Sequence, residues 1–115
     1  MAHGTRIDRL LKRRDFLALN RSVRVPTKGF LLLAKEQRPD GAIRVGFTCS
    51  KKLGNAVARN RAKRRLRAVA RKLLPDLGQS GWDYVLVGRP GSTVNMPFAE
   101  LEADLRSALT KVHGS

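Results

Sequence analysis

A single cysteine, two histidines near the ends and no acid between Asp40 and Asp76 remove whole classes of chemistry from this 115-residue chain. One thiol, Cys49, forms neither an intramolecular disulfide nor a cysteine-rich zinc site. It lies in an apolar run and reads as a small buried residue. His3 and His113 sit in what read as frayed ends, as spectators. The nine acids are scattered without D-x-D or E-x-x-H spacing, so no acid–base pair and no metal motif is legible. Gly81, Gly88 and the loop after Arg89 do not make a phosphate loop. No apolar run approaches about 18 residues and no signal-peptide pattern opens the chain. The basic segment also lacks the bulky aromatic face of an interfacial helix. The expectation is a cytoplasmic protein without a membrane partner, in which any catalysis draws its chemistry from elsewhere.

What is abundant is positive charge, and it is unevenly placed. Residues 1–72 carry 21 basic and 4 acidic side chains, whereas residues 73–115 carry 3 and 5. The net charge of +15 is therefore concentrated in one part of the chain, a distribution that suits nucleic acid. Hydrophobic content of 42% and charged content of 29% fit one folded domain over residues 1–115, with about 1–7 and 113–115 as flexible ends.

The densest stretch is Lys51 to Lys72, with ten Lys or Arg and no acid. At about 100° per residue, Ala58, Ala62, Leu66, Val69 and Leu73 form an apolar stripe. Asn60, Arg64, Arg67 and Arg71 fall opposite, with Arg61 and Lys63 on the flanks. Arg59, Lys63, Arg67 and Arg71 succeed one another at i,i+4, each like-charge pair costing roughly 0.2–0.5 kcal/mol in an isolated helix. Packing of the stripe offsets that cost, and a dense polyanion removes it. Solvated helices normally mix both signs, and this one does not. Arg59 and Arg65 lie about 60° from the stripe, so each has two readings: a phosphate contact, or a snorkelling structural side chain.

Around that helix the chain reads as α+β. Residues 12–20 suggest a short helix with Phe16 and Leu17 or Leu19 available to pack. Ser22–Val25 is a brief extended piece, Gly29–Glu36 a strand, and Ile43–Ser50 the clearest strand, alternating apolar and polar positions. Asn55 is a suitable N-cap, and Pro75 with Gly78 is expected to end the basic helix. Asp83–Gly88 is a fourth strand, followed by a loop. A last helix begins near Pro97, with Phe98, Leu101, Leu105, Ala108 and Val112 as its apolar stripe. The order suggests a two-layer sandwich.

Gly54-Asn55-Ala56-Val57, followed by Arg59-Asn60-Arg61, Lys63-Arg64 and Arg67, closely resembles the signature of the bacterial ribonuclease P protein subunit. Agreement extends to Phe16, Ser50-Lys51-Lys52, Asp83-Tyr84-Val85 and Arg89. The resemblance implies a fold like the second domain of ribosomal protein S5: a four-stranded sheet with helices packed on it and a left-handed β-α-β crossover. It further implies partnership with a catalytic RNA that removes the 5′ leader of precursor tRNA. Mg²⁺ would be used by that RNA, with no further protein partner required.

By the same resemblance, Lys52, Asn55, Arg59, Asn60, Arg61, Lys63, Arg64, Arg67 and Arg71 would meet the catalytic RNA. Phe16, Thr48, Ser50, Lys51 and Arg89 would line a cleft for the leader between the first helix and the open sheet face. Phe16 suits stacking on an unpaired base and equally suits a core position. Asn20 stands where the family often has a second aromatic. Alternatives are a non-enzymatic RNA-binding or ribosome-associated protein, a nuclease with its own site, and a reader of the DNA major groove without the helix that usually precedes it.

Overall fold

Ile43, Val45 and Phe47 alternate with Arg44, Gly46 and Thr48, and the strand they form sends the first set to the main core. The structure, a computed structural model, describes residues 7–9, 19, 22–37 and 41–114. Its strands are β1 (Ile7–Arg9), β2 (Val23–Pro26), β3 (Phe30–Glu36), β4 (Ile43–Thr48) and β5 (Trp82–Gly88). A 3-10 turn at Lys51–Leu53 precedes helix α1 (Ala56–Leu77); α2 (Ser92–Asn95) and α3 (Phe98–His113) follow β5.

The strands assemble in the order β1-β4-β5-β3-β2. β4 runs parallel to β1 and β5, while β3 is antiparallel to β5 and β2 antiparallel to β3. The mixed sheet carries α1 and α3 on one face, which confirms the α+β expectation. Between them lies the main core, with Phe30, Leu32, Ile43, Leu66, Val69, Leu74, Tyr84, Leu86, Leu101 and Leu105 all fully buried. A smaller cluster on the opposite face joins Leu19 and Val85 with half-buried Leu33 and Val87.

Three expectations change, and a fourth falls outside the described residues. The sheet has five strands among the described residues, not four, because Ile7–Arg9 pairs in parallel with Ile43–Val45. Three residues with one apolar side chain carry no alternation, and their partner lies far along the chain. Pro75 does not end α1. It sits inside the final turn, and the helix closes at Gly78, whose N–H donates to Leu74 O at 2.9 Å. The loop expected after Arg89 contains the helical turn α2. The expected first helix at residues 12–20 lies outside the described residues apart from Leu19, which is fully buried.

His113 also departs from its expected role as a frayed spectator. Its Nε2 and Tyr84 Oη share a hydrogen bond of 2.7 Å, and its ring meets the Trp82 ring edge-on at 4.7 Å between centroids. Tyr84 Oη in turn accepts from Gln79 N–H at 3.0 Å, so one hydroxyl ties the end of α3 to the loop after α1. Burial pushes the Tyr84 phenol up to about 12 and the His113 imidazole down from its ordinary value.

Candidate nucleic-acid interface

The corner between β4 and α1 is fixed by short-range hydrogen bonds. Ser50 Oγ accepts from Lys52 N–H at 3.3 Å, and the 3-10 turn follows. Gly54 then adopts φ 125° and ψ −154°, a region open essentially to glycine alone. Asn55 caps α1, its Oδ1 accepting from Ala58 N–H at 3.0 Å. Lys51, Lys52, Asn55 and Ala56 are exposed at this corner. Val57 keeps 75% of its surface in water, so the first turn of α1 is not covered by the rest of the fold.

Beyond the cap, the helix divides as its periodicity demands. Ala62, Leu66, Val69, Ala70, Leu73 and Leu74 are buried. The seam is wider than the expected stripe because α1 packs on both the sheet and α3, so a second row, Ala70 and Leu74, turns inward. Asn60, Arg61, Arg64 and Arg71 are exposed, and Lys63 and Arg67 half-buried. The Arg67 guanidinium lies 5.9 Å from the centroid of the Phe47 ring. Among the described residues, the one salt bridge from an α1 cation is Lys72–Glu102 at 2.9 Å, well away from the signature string. Among the described residues no acid forms a salt bridge with Arg59, Lys63, Arg67 or Arg71, although Asp8 lines a notch beside the last two.

Arg59 and Arg65, which the helical wheel left open, now separate. Arg65 is structural: its Nε donates to Thr93 O at 2.9 Å and its Nη2 to Met96 O, pinning α1 to the segment before α3. Arg59 is half-buried with its Nε enclosed and unpartnered. It lines a cavity of about 200 Å³ with Cys49, Ala56, Asn60 and Lys63. Burial pushes the Cys49 thiol up, against the opposing charge of Lys63, which leaves it a neutral, unreactive wall of that cavity.

The expected leader-cleft residues are only partly brought together. Thr48 is half-buried at the end of β4, with exposed Ser50 and Lys51 just beyond it. The parallel register sets Thr48 beside Val87, on the sheet face that carries Leu19 and Val85. Phe16 and Asn20 lie outside the described residues. Arg89 follows β5, and its backbone N–H donates to Thr93 Oγ1 at 2.8 Å. Its side chain, with a buried and unpartnered Nε, lines a groove on the helix side of the sheet beside Lys28, Met96 and Asp104.

Sequence reasoning passed over one pair that organises the sheet. Arg44 Nε and Nη2 donate to the two carboxylate oxygens of Asp83 at 2.9 and 2.7 Å, and Asp83 is fully buried. A lone acid opening the apolar run Asp83–Gly88 was the available signal. No group of three or more potential metal ligands gathers among the described residues, and no described helix is long and apolar enough to cross a membrane.

Fold and charge together define a small α+β domain with a cationic helix open on its surface. The chain belongs to the ribonuclease P protein family: the family model described as Ribonuclease P matches residues 5–113. A ribonuclease P protein component from Ruegeria pomeroyi is 57% identical over 106 residues, spanning 90% of this chain and 85% of the relative. One from Erythrobacter litoralis is 46% identical over 100 residues, spanning 87% and 81%. Among solved structures, the RNase P protein from Thermotoga maritima superposes with a TM-score of 0.77 at 26% identity, covering 91% of this chain and 97% of that one. The Staphylococcus aureus protein gives 0.73 at 26% identity, covering 90% and 95%.

Proposed function

We propose that this chain is the protein subunit of ribonuclease P, seated by the cationic face of α1 on a catalytic RNA that removes the 5′ leader of precursor tRNA. The observation that carries this reading is the open α1 face: exposed cations, without a salt bridge among the described residues, belong to the very string that resembles the family signature. Arg61, Lys63, Arg64, Arg67 and Arg71 would take phosphates, for which the arginine fork is suited. The enclosed Nε of Arg59 and the amide of Asn60 would add donors at one cavity. Lys52 and Asn55 would extend the contact to the helix start, where free N–H groups favour an anion.

Phe16, Thr48, Ser50, Lys51 and Arg89 are the proposed contacts for the leader. Arg89 approaches it only from the sheet end, given where its side chain lies. The reaction's Mg²⁺ would belong to the RNA, as the family resemblance implies. The same reading extends to a left-handed β4–α1–β5 crossover of the S5 kind, a cytoplasmic setting and no need for a further protein.

The test is reconstitution. The purified chain, a ribonuclease P RNA and precursor tRNA are combined at a Mg²⁺ concentration too low for the RNA alone. Cleavage at the mature 5′ end, dependent on both components, is the expected result. RNA binding without stimulated cleavage would point to a non-enzymatic RNA-binding protein, and cleavage by the protein alone would refute the proposal.

A further inference from the structure

Where the second half of α1 crosses the edge of the sheet, an apolar notch of about 180 Å³ opens between β1, β4 and the helix. Ile7, Val45 and Phe47 form its floor and aromatic wall, and Pro75 closes one end. Arg9, Arg67 and Arg71 also line it. The β1–β4 register sets Ile7 and Arg9 beside Ile43 and Val45, on the helix side of the sheet. Asp8, paired in register with Arg44, also lines the notch, so three arginines face one carboxylate there and the balance stays cationic. Arg9 and Arg71 are exposed, and none of the three arginines pairs with a carboxylate among the described residues.

An apolar slot with one aromatic wall, rimmed by three arginines and one aspartate, has a narrow range of occupants. An apolar peptide or acyl chain would satisfy the floor and leave the cations without a purpose. A base-paired duplex would satisfy the cations and leave the slot empty. An unstacked nucleotide satisfies both: its base lies on the Phe47 ring or the Arg67 guanidinium plane, and its flanking phosphates reach Arg9 and Arg71. The notch is continuous with the α1 face through Arg67 and Arg71, and it lies on the opposite side of the sheet from Thr48.

We infer that this notch seats one unpaired base of the catalytic RNA, giving the phosphate contacts of α1 a fixed register. The inference rests on the reading that α1 meets that RNA. It makes Phe47 and Arg9, neither part of the signature string, determinants of binding.

The test uses the full chain bound to a ribonuclease P RNA. Base reactivity is read with reagents that modify unpaired Watson–Crick edges, and backbone protection with hydroxyl radicals. The wild-type protein is expected to shield one otherwise reactive unpaired base. Phe47→Leu should restore that reactivity and weaken binding roughly five-fold or more, within the range for a lost base–aromatic stack, while backbone protection persists. Arg9→Gln lies at an exposed position and guards against a folding defect in Phe47→Leu. It should partly restore reactivity at the same base with an unchanged melting temperature. Backbone protection with no base whose reactivity differs between wild type and either variant overturns the inference while leaving the proposed function intact. Absence of all protection by the wild-type chain overturns both.

Discussion

Removing Arg65 is expected to weaken the fold without loosening the hold on RNA, the reverse of what removing its neighbour Arg64 does. Arg65 donates to two backbone carbonyls, those of Thr93 and Met96, and is half-buried in doing so. A hydrogen bond from a charged group contributes about 1.5–3 kcal/mol. Water reaches part of the vacated site, so Arg65→Ala should cost about 2–4 kcal/mol in all. For a domain of this size that lowers Tm by on the order of 10 °C. Arg64 is exposed and makes no bond within the fold among the described residues, so Arg64→Ala should leave Tm within about 2 °C of wild type. Each lost phosphate contact reduces the slope of log K against log salt by about 0.7–0.9. Thermal melts and RNA titrations across a series of KCl concentrations read both quantities on the same variants. Arg65→Ala with a wild-type melt and a reduced slope would refute the assignment of Arg65 to the interior, and an unchanged slope in Arg64→Ala would show that it touches no phosphate.

Three further outcomes are expected of the fold. Asp83→Ala leaves Arg44 without the fully buried carboxylate that receives its fork, and should cost about 3–5 kcal/mol in urea unfolding; a loss below about 1 kcal/mol would mean the pair is solvated. Gly54→Ala forces a side chain into φ 125°, and should cost about 1–3 kcal/mol, with hydrogen exchange accelerating most at the β4–α1 corner; a wild-type unfolding curve would show that the position is unstrained. Burial lowers the His113 pKa, so below its ordinary value the unfolded chain binds the extra proton first. Stability from this site is complete above about pH 6.5 and is lost as pH falls toward the depressed value. His113→Gln should flatten that part of the stability–pH curve, and an unchanged curve would disprove the linkage.

How much of this was legible in the sequence depended on how local the determinants are. The α1 seam follows from a period of 3.6, and β4 from strict alternation between Ile43 and Thr48. The Asn55 cap needs only its own first turn, and it appeared as expected. Strand β1 was missed because its evidence lies in the sheet it joins and not in Ile7–Arg9 itself. Pro75 was misread as a stop because it removes only the N–H that would meet the Arg71 carbonyl; both residues are exposed, so water can take that carbonyl while Leu73 and Leu74 hold the last turn in the core. The role of Arg65 depends on carbonyls 28 and 31 positions further on, which no helical wheel contains. Among site residues, the exposed cations of α1 were readable from their offset to the apolar stripe. The placement of Arg89 was not, since it depends on how β5 and α3 meet.

The central claim is tested most directly by placing a cleavage reagent on the helix itself. In a Cys49→Ser background, Asn60→Cys carries an iron chelate on the exposed face of α1, and Ser107→Cys carries it on α3. Bound to a ribonuclease P RNA, the chelate at residue 60 is expected to cut the RNA backbone at a small, discrete set of nucleotides, while the one at residue 107 cuts weakly or elsewhere. Strong cuts from residue 107 with none from residue 60, in a complex that still forms, would contradict the account.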